Sequence, residues 1–160
     1  MSYPEPRYHG ETGEITATYR PAGAPPELVS GNGTQTRYLA TTASTGGEFG
    51  LYQVDMTPRA GGPSTHFHRT ISETFYVLDG TVRIFDGARW VDARRGDCVY
   101  VPTGGLHAFR NEADEPASML LLFAPGAPRE EYFEKVGTVA QMTEEERAAF
   151  FLKHDTYWTD

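Results

Sequence analysis

The sequence predicts an all-β protein, a sandwich or barrel of about eight short strands, with an extended N-terminal arm and one or two short C-terminal helices. Two observations support the β region. Short runs rich in β-branched and aromatic residues recur between residues 36 and 123, and such residues are enriched in strands. Turn-forming pairs separate the runs at even spacing, as at Gly46-Gly47 and Asp86-Gly87, which is typical of sandwiches and barrels.

Residues 1–34 are expected to form the extended arm. They are rich in Pro, Gly, Thr and Ser, including the run Pro21-Ala22-Gly23-Ala24-Pro25-Pro26, and this composition favours extended chain over helix. We therefore divide the chain into an N-terminal arm at 1–34, a β-barrel domain at 35–125 and a helical segment at 126–160 that packs on the barrel.

The strands of the barrel are expected at eight short runs. These runs cover residues 37–42, 49–56, 74–78, 81–85, 90–93, 98–101, 107–110 and 118–123. The strongest turn signal is Asp79-Gly80, which lies between two β-prone runs. Because Asp-Gly readily adopts the positive φ angles of a two-residue turn, it predicts a tight hairpin.

The C-terminal residues change from a strand pattern to a helical one. Residues 128–136 carry Tyr132, Phe133 and Val136 on one apolar stripe, which predicts a short helix. Thr143 followed by Glu146 is a capping box, and it predicts the start of a second helix that runs to about residue 153.

Composition narrows the classes of function. A chain of 160 residues is one domain, and its net charge of −8 argues against a nucleic-acid partner, which would need basic clusters. No apolar run approaches the roughly 20 residues that span a bilayer, and no basic-then-apolar secretion signal opens the chain. Cys98 is the single cysteine; we expect it in the core and expect the protein in the cytoplasm.

Three histidines and one glutamate form the most informative pattern. His66 and His68 are two residues apart, so on a strand both imidazoles point to the same face. Glu73, past a short bend, and His107, on another strand, can reach the same point. Three imidazoles and a carboxylate suit one divalent transition metal per chain, which could be Fe, Ni, Mn, Cu or Zn. The alternative is a group of interior residues that hydrogen-bond to one another and hold no metal.

These residues lie in two blocks that resemble the paired motifs of the cupin superfamily. The first family motif, G-x5-H-x-H-x3,4-E-x6-G, is matched except at its leading glycine, where Ala60 stands. The second, G-x5-P-x-G-x2-H-x3-N, is matched throughout, by Gly96, Pro102, Gly104, His107 and Asn111. The resemblance implies a double-stranded β-helix, or jelly-roll barrel, with metal ligands His66, His68, Glu73 and His107. It also implies a homodimer, in which the N-terminal arm would pack on the partner subunit.

A second, less specific resemblance concerns the chemistry. The block from Glu73 to Val77 and the segment from Glu131 to Gly137 are similar to regions of small flavonol-dioxygenase-like (quercetinase-like) cupins. This implies that Glu73 is a catalytic base as well as a ligand, because a carboxylate beside a metal can accept a proton from a substrate hydroxyl. The alternative is that Glu73 only completes the ligand set.

Aromatic residues near the ligands suggest a substrate pocket. By strand alternation Phe75 shares a face with Glu73, and Phe109 shares a face with His107. Three more residues could line the same cavity, namely Phe49, Tyr52 and Met56. Such walls favour a planar or hydrophobic small molecule, although ordinary core packing is the alternative for each.

The sequence as a whole predicts a metal-dependent enzyme that acts on a small aromatic or phenolic metabolite, with a dioxygenase as the first choice. The same residues would serve a non-redox isomerase or cyclase, in which the metal acts only as a Lewis acid. A third alternative is a non-catalytic protein that binds a small molecule or a metal, because a fold does not settle a function.

Overall fold

The computed structural model describes residues 2–159. Most of its regular structure is β-strand. The strands are β1 Leu28–Val29, β2 Gln35–Ala40, β3 Gly50–Met56, β4 His66–Phe67, β5 Ser72–Asp79, β6 Thr81–Phe85, β7 Trp90–Arg94, β8 Cys98–Val101, β9 Ala108–Arg110, β10 Ala117–Ala124 and β11 Tyr157–Trp158. The helices are α1 Glu130–Lys135 and α2 Glu144–Lys153, with a 3-10 helix at Val136–Gln141 between them.

The strands of this described part of the chain form two main antiparallel sheets and one small one. The large sheet has the order β1-β2-β3-β10-β5-β8, the second has the order β7-β6-β9, and β4 pairs with β11. One buried cluster joins the two main sheets, since it contains Tyr52 and Phe75 from the first and Val82 and Ile84 from the second. This arrangement confirms the predicted all-β jelly roll.

Alternation along the strands explains how the core is filled. In β3 and β10 every second residue is buried, so one face of each strand points into the core and the other towards solvent. Strand β10 is central in the large sheet and pairs with β3 and β5. Its inward residues Met119, Leu121 and Phe123 are almost completely buried, and Phe123 brings an aromatic ring to the end of the core that holds the histidines.

The turn at Asp79-Gly80 is not the hairpin that the sequence predicts. Gly80 has a φ of 69°, as a tight turn needs, but the strands on either side enter different sheets. Strand β5 pairs with β10 and β8, whereas β6 pairs with β7 and β9. The chain therefore crosses from one sheet to the other at this corner. A Cβ on Gly80 would lie 2.3 Å from the Pro116 carbonyl oxygen, so the corner requires glycine.

The N-terminal residues are extended and largely exposed, with one short strand near the end of the predicted arm. Strand β1 pairs with β2 and so extends the edge of the large sheet. Tyr3, Ile15 and Tyr19 expose most of their surface. The packing of this arm on a partner subunit stays a prediction.

Cys98 is exposed, which corrects its assignment to the core. It begins β8, and β8 pairs on one side with β5 at the end of the large sheet. Its side chain lies on the solvent face, whereas Val101, three residues later, is buried. Side chains alternate between the two faces of a strand, so Cys98 faces the opposite side from Val101, which is the solvent side.

Both predicted C-terminal helices are present. Tyr132 of α1 stacks on Phe150 of α2, with ring centroids 5.8 Å apart, and this contact ties the two helices together. Within residues 2–159 neither helix has the length and apolar composition that a membrane crossing would require.

The capping box at the start of α2 gives a first testable prediction. The Thr143 hydroxyl accepts a hydrogen bond from the Glu146 amide, and the Glu146 carboxylate accepts one from the Thr143 amide. Thr143→Ala should lower the free energy of unfolding by about 1 kcal/mol, as measured by urea denaturation. Thr18→Ala, in the exposed arm, is the control and should change nothing; equal stability of the two variants would contradict the capping role.

Candidate metal centre

The four residues singled out by the sequence meet in the interior of the fold. His66 lies in β4, His68 directly follows it, Glu73 lies in β5 and His107 directly precedes β9. One nitrogen or oxygen from each of them lies within 4.8 Å of all the others. None exposes more than 4% of its surface, so the group is a buried cluster of three imidazoles and one carboxylate.

Backbone pairing holds two of the histidines side by side. The His66 amide donates to the His107 carbonyl oxygen, and the His107 amide donates to the His66 carbonyl oxygen, both at 3.0 Å. Their ring centroids are 4.3 Å apart. Residues far apart in the chain are thus placed together by an antiparallel bridge and not by side-chain contacts alone.

In each of the three histidines of the cluster, the ring nitrogen Nδ1 is held by a backbone carbonyl oxygen. Nδ1 of His66 lies 2.9 Å from Ser64 O, Nδ1 of His107 lies 2.9 Å from Gly105 O, and Nδ1 of His68 lies 2.6 Å from Asp155 O. Because a carbonyl oxygen can only accept, each Nδ1 must carry the proton and donate. In a neutral ring this leaves Nε2 with a free lone pair, which is the form that binds a metal.

Nε2 of His107 and Nε2 of His68 both lie close to the Glu73 carboxylate. This arrangement shows whether the residues fit a metal. Nε2 of His107 lies 2.9 Å from Glu73 Oε2, and Nε2 of His68 lies 3.3 Å from the same oxygen. Lone pairs on nitrogen and carboxylate oxygen repel each other unless a proton or a cation lies between them. A donor set of three nitrogens and one oxygen fits a transition metal. The residues therefore fit the cofactor that the sequence predicts.

The ionisation of Glu73 and His66 favours the metal-binding form, whereas that of His107 opposes it. Burial opposes charge on Glu73, but its contacts with His107 and His68 outweigh burial and hold the pKa of the carboxyl well below its usual range. Burial, followed by the nearness of His107, lowers the pKa of His66 to about 4. Burial also acts to lower the pKa of His107, but the Glu73 carboxylate outweighs it and raises that pKa. A metal would compete with this proton on His107.

A cavity of about 510 Å³ opens directly onto the cluster. His66 and Glu73 form part of its wall, and most of the remaining wall is apolar. The other lining side chains include Phe109, Leu121, Phe123, Arg129, Phe133 and Trp158. A volume of this size holds a small organic molecule of two or three rings.

Two of the residues predicted to line a pocket lie at or directly behind this wall. Phe109 lines the cavity. Phe75 is completely buried and packs against Phe109 and His107, with ring centroids 5.6 and 6.0 Å away. Phe75 thus supports the wall from behind. A role for either residue in substrate binding stays a prediction.

The other three predicted pocket residues do not form part of this wall. Tyr52 is buried, and its hydroxyl donates to the Glu130 carboxylate at 2.8 Å. Met56 borders a neighbouring hollow of about 370 Å³, which shares Phe109 with the main cavity. Phe49 precedes β3, is half-buried and is not part of either lining. Their contact with a substrate is likewise still a prediction.

The C-terminal segment takes part in the site, which the sequence analysis missed. Strand β11 pairs with β4, and the centroid of the Trp158 ring lies 5.1 Å from that of the His66 ring. The Asp155 carbonyl oxygen is the acceptor for His68 Nδ1. No motif marks this segment, and its one sequence signal is the aromatic pair Tyr157-Trp158.

Asp155 also fixes the loop that follows His68. Its carboxylate accepts hydrogen bonds from the Arg69 amide at 3.0 Å, the Thr70 amide at 2.8 Å and the Thr70 hydroxyl at 2.7 Å. Burial opposes ionisation, but these hydrogen bonds outweigh it and lower the pKa of Asp155. Asp155 thus holds His68 through its carbonyl oxygen and the following loop through its carboxylate, and so positions a candidate metal ligand from outside the cluster.

The comparisons with known proteins agree with this geometry. Residues 52–123 match the family model of the cupin domain, and this range includes all four residues of the cluster. The chain therefore contains a cupin domain over this range. The solved structure of KdgF from a Halomonas species has a similar fold, with a TM-score of 0.54 and 19% identity, and the match covers 63% of this chain and 86% of that one.

Two curated relatives match over part of their length. The chain is 27% identical over 100 residues to the tetracenomycin polyketide synthase protein TcmJ of Streptomyces glaucescens, across 62% of this chain and 66% of that protein. It is 26% identical over 117 residues to quercetin 2,3-dioxygenase of Bacillus subtilis, across 68% of this chain and 34% of that protein. This cupin thus spans less than two thirds of the length of either relative.

Proposed function

We propose that this cupin is a metal-dependent enzyme that acts on a small aromatic or phenolic molecule, and that its reaction is an oxygenation of the dioxygenase type. One observation carries the proposal: a buried set of three imidazoles and one carboxylate opens onto an apolar cavity of about 510 Å³. Buried polar donors that converge beside an apolar pocket are the usual form of a small-molecule active site.

The inner atoms of the cluster would hold one divalent transition metal, Fe, Ni, Mn, Cu or Zn. These atoms are Nε2 of His66, His68 and His107 and a carboxylate oxygen of Glu73. The metal, when bound, supplies Lewis acidity and, if it is redox-active, a route for electrons between substrate and O2. The protein supplies the fixed orientation of the rings, through the carbonyls that accept from each Nδ1.

Glu73 is the residue that would move a proton. The carboxylate is ionised, as a proton acceptor must be, and a bound metal would make a phenolic or enolic hydroxyl acidic enough to give up its proton to it. Glu73 lies at the cavity wall, where the hydroxyl of a bound ring could reach it. The apolar side chains of Phe109, Leu121 and Phe123 would hold the ring and exclude water from the reacting atoms.

The relatives support two versions of this chemistry. The similarity to quercetin 2,3-dioxygenase favours oxygenation. The similarity to TcmJ, a polyketide synthase protein, favours the second candidate, a non-redox cyclisation or isomerisation that would need the metal only as a Lewis acid. Stoichiometric Zn without oxygen uptake would support this second candidate or a binding role, and would count against a dioxygenase.

Glu73→Gln is the variant that tests the proposal. Glutamine keeps an oxygen that can serve as a ligand but cannot accept the proton, so kcat for oxygen uptake on flavonols and catechols should fall by about 10²- to 10⁴-fold. Oxygen uptake is followed with an electrode, and metal content is measured on the same samples by elemental analysis.

The control for this experiment is Glu112→Gln. Glu112 is exposed and pairs with Arg83 at 2.7 Å, away from the cavity, so oxygen uptake should remain at the wild-type rate. If Glu73→Gln retained full oxygen uptake with its metal in place, Glu73 would not be the base. If the wild-type protein with Fe, Ni, Mn or Cu took up no oxygen on any substrate of the panel, the dioxygenase proposal would fail.

A further inference from the structure

A buried arginine at the wall of the cavity has no role in the metal cluster. Arg129 immediately precedes α1 and exposes only 4% of its surface. Its guanidinium carbon lies 4.1 Å from the centroid of the Tyr132 ring and 5.1 Å from that of Phe123. Aromatic faces stabilise a cation in such positions. Nη1 donates to the His154 carbonyl oxygen at 2.6 Å.

The Arg129 guanidinium forms no direct ion pair in the described part of the chain, and the carboxylates of Glu73 and Asp155 act on it only from a distance. Among residues 2–159 no carboxylate oxygen lies within 4 Å of its guanidinium nitrogens, and Nε is buried with no hydrogen-bond partner. Burial lowers the pKa of Arg129, but a guanidinium remains protonated in proteins. A buried charge is costly unless it is paired, so an unpaired one beside a cavity indicates that a ligand supplies the missing anion.

The other side chains of the cavity make an anion the complementary ligand. The lining contains one carboxylate, Glu73, and one guanidinium, Arg129. Glu73 is hydrogen-bonded to His68 and His107 through Oε2 and acts on Arg129 only through space, so it is not a direct partner of the guanidinium. A divalent metal on the cluster would make the whole cavity positive. A neutral ligand would leave this charge uncompensated, whereas a carboxylate would compensate it.

We propose that Arg129 recognises a carboxylate on the substrate, so that the cavity takes a small planar aromatic carboxylate. The proposal for Arg129 rests on the proposed function in one respect, namely that the cavity is the substrate site. The apolar walls would hold the ring, Arg129 would hold the carboxylate, and the end of the ring that faces Glu73 would carry the reacting hydroxyl. Arg129 therefore sets which molecules bind, whereas Glu73 and the histidines would act on them.

The experiment compares 2-naphthoate with 2-naphthamide, two probes of nearly the same size and shape of which only the first is charged. Their binding to the metal-loaded protein is measured by isothermal titration calorimetry. The wild-type protein should bind the carboxylate at least about 10-fold more tightly than the amide, because removing an anion from a buried cationic site costs more than a surface contact would. Binding needs neither oxygen nor turnover, so the result does not depend on whether the proposed reaction takes place.

Three variants assign the preference to Arg129. Arg129→Gln should reduce the preference to less than about twofold, and Arg129→Lys should retain an intermediate preference. Arg110→Gln is the matched control, since Arg110 also has an unpaired Nε and packs on an aromatic ring, Trp90, at 4.3 Å, yet does not line the cavity. It should keep the full wild-type preference. Thermal melting and metal content establish that each variant is folded.

The outcomes separate this inference from the proposed function. Equal binding of the two probes to the wild-type protein, or binding of neither, would overturn the role of Arg129. So would a preference that persists in Arg129→Gln. If Arg129→Gln does not fold, Arg129→Lys decides, because a preference that comes from the metal would be unchanged in that variant. A clear preference for 2-naphthoate in a protein that never takes up oxygen would support Arg129 and count against the dioxygenase.

Discussion

Replacing His107 with alanine is expected to remove the metal. His107 supplies one of the four donor atoms of the cluster, and its Nε2 is the nitrogen nearest to Glu73. Loss of a residue that merely orients a ligand typically costs about 10- to 100-fold in metal affinity, so loss of a ligand itself should cost more than about 100-fold. Elemental analysis after dialysis should find less than about a tenth of the wild-type metal content. His66→Ala should behave in the same way.

His9→Ala is the control for the ligand variants. His9 is an exposed histidine in the N-terminal arm, so its loss changes the histidine count without touching the cluster. Its metal content should equal that of the wild-type protein. If both His66→Ala and His107→Ala kept the full metal content while remaining folded, the ligand assignment would be wrong, and the cluster would have to be a hydrogen-bonded group of interior residues.

Deleting residues 154–160 is expected to weaken metal binding, although less than the loss of a ligand would. The deletion removes the carbonyl that fixes His68 Nδ1, the strand that pairs with β4 and the Trp158 ring that packs on His66. It also removes the acceptor of Arg129 Nη1. Metal affinity should fall by about 10- to 100-fold, as measured by competition with a chelator, and the midpoint of thermal unfolding should fall with it.

A point substitution and a control distinguish positioning from a general loss of stability. Asp155→Asn keeps the carbonyl but weakens the contacts with Arg69 and Thr70, so its affinity should lie between those of the wild-type and truncated proteins. Asparagine also tolerates the positive φ of 50° at this position. Lys153→Ala removes only a surface pair with Glu131 and should leave affinity unchanged. Wild-type affinity in the truncated protein would rule out a role for this segment.

Local patterns were sufficient for eight of the eleven described strands, for the two α-helices and for the pair His66 and His68. Alternation over a few residues specifies which strand positions are buried, so β3 and β10 could be read from composition and spacing. His66 and His68 needed only the strand period to share a face, and Thr143 with Glu146 needed only helix geometry to form the capping box. Each of these features depends on neighbours within a few residues, which is the range over which sequence patterns carry information.

Pairing between distant segments decided what those patterns left open. Asp79-Gly80 can form the turn of a hairpin or the corner between two sheets. It forms a corner here because β5 pairs with β10 in one sheet and β6 pairs with β9 in the other. Strand β11 is only two residues long, and it exists because β4 offers an edge to pair with. Likewise no sequence pattern distinguishes Arg129 from the other arginines. It is a buried cation only because Tyr132 and Phe123 pack around it in the folded protein.

The sequence by itself therefore determined the all-β class, the positions of eight of the eleven described strands and the identity of the four metal-binding candidates. The tertiary structure decided how the two sheets connect, that the C-terminal segment holds His68, and that an unpaired positive charge lies beside the cavity. The physical reason is the same in each case: backbone periodicity and turn chemistry act locally, whereas burial and charge compensation depend on which distant residues the completed fold brings together.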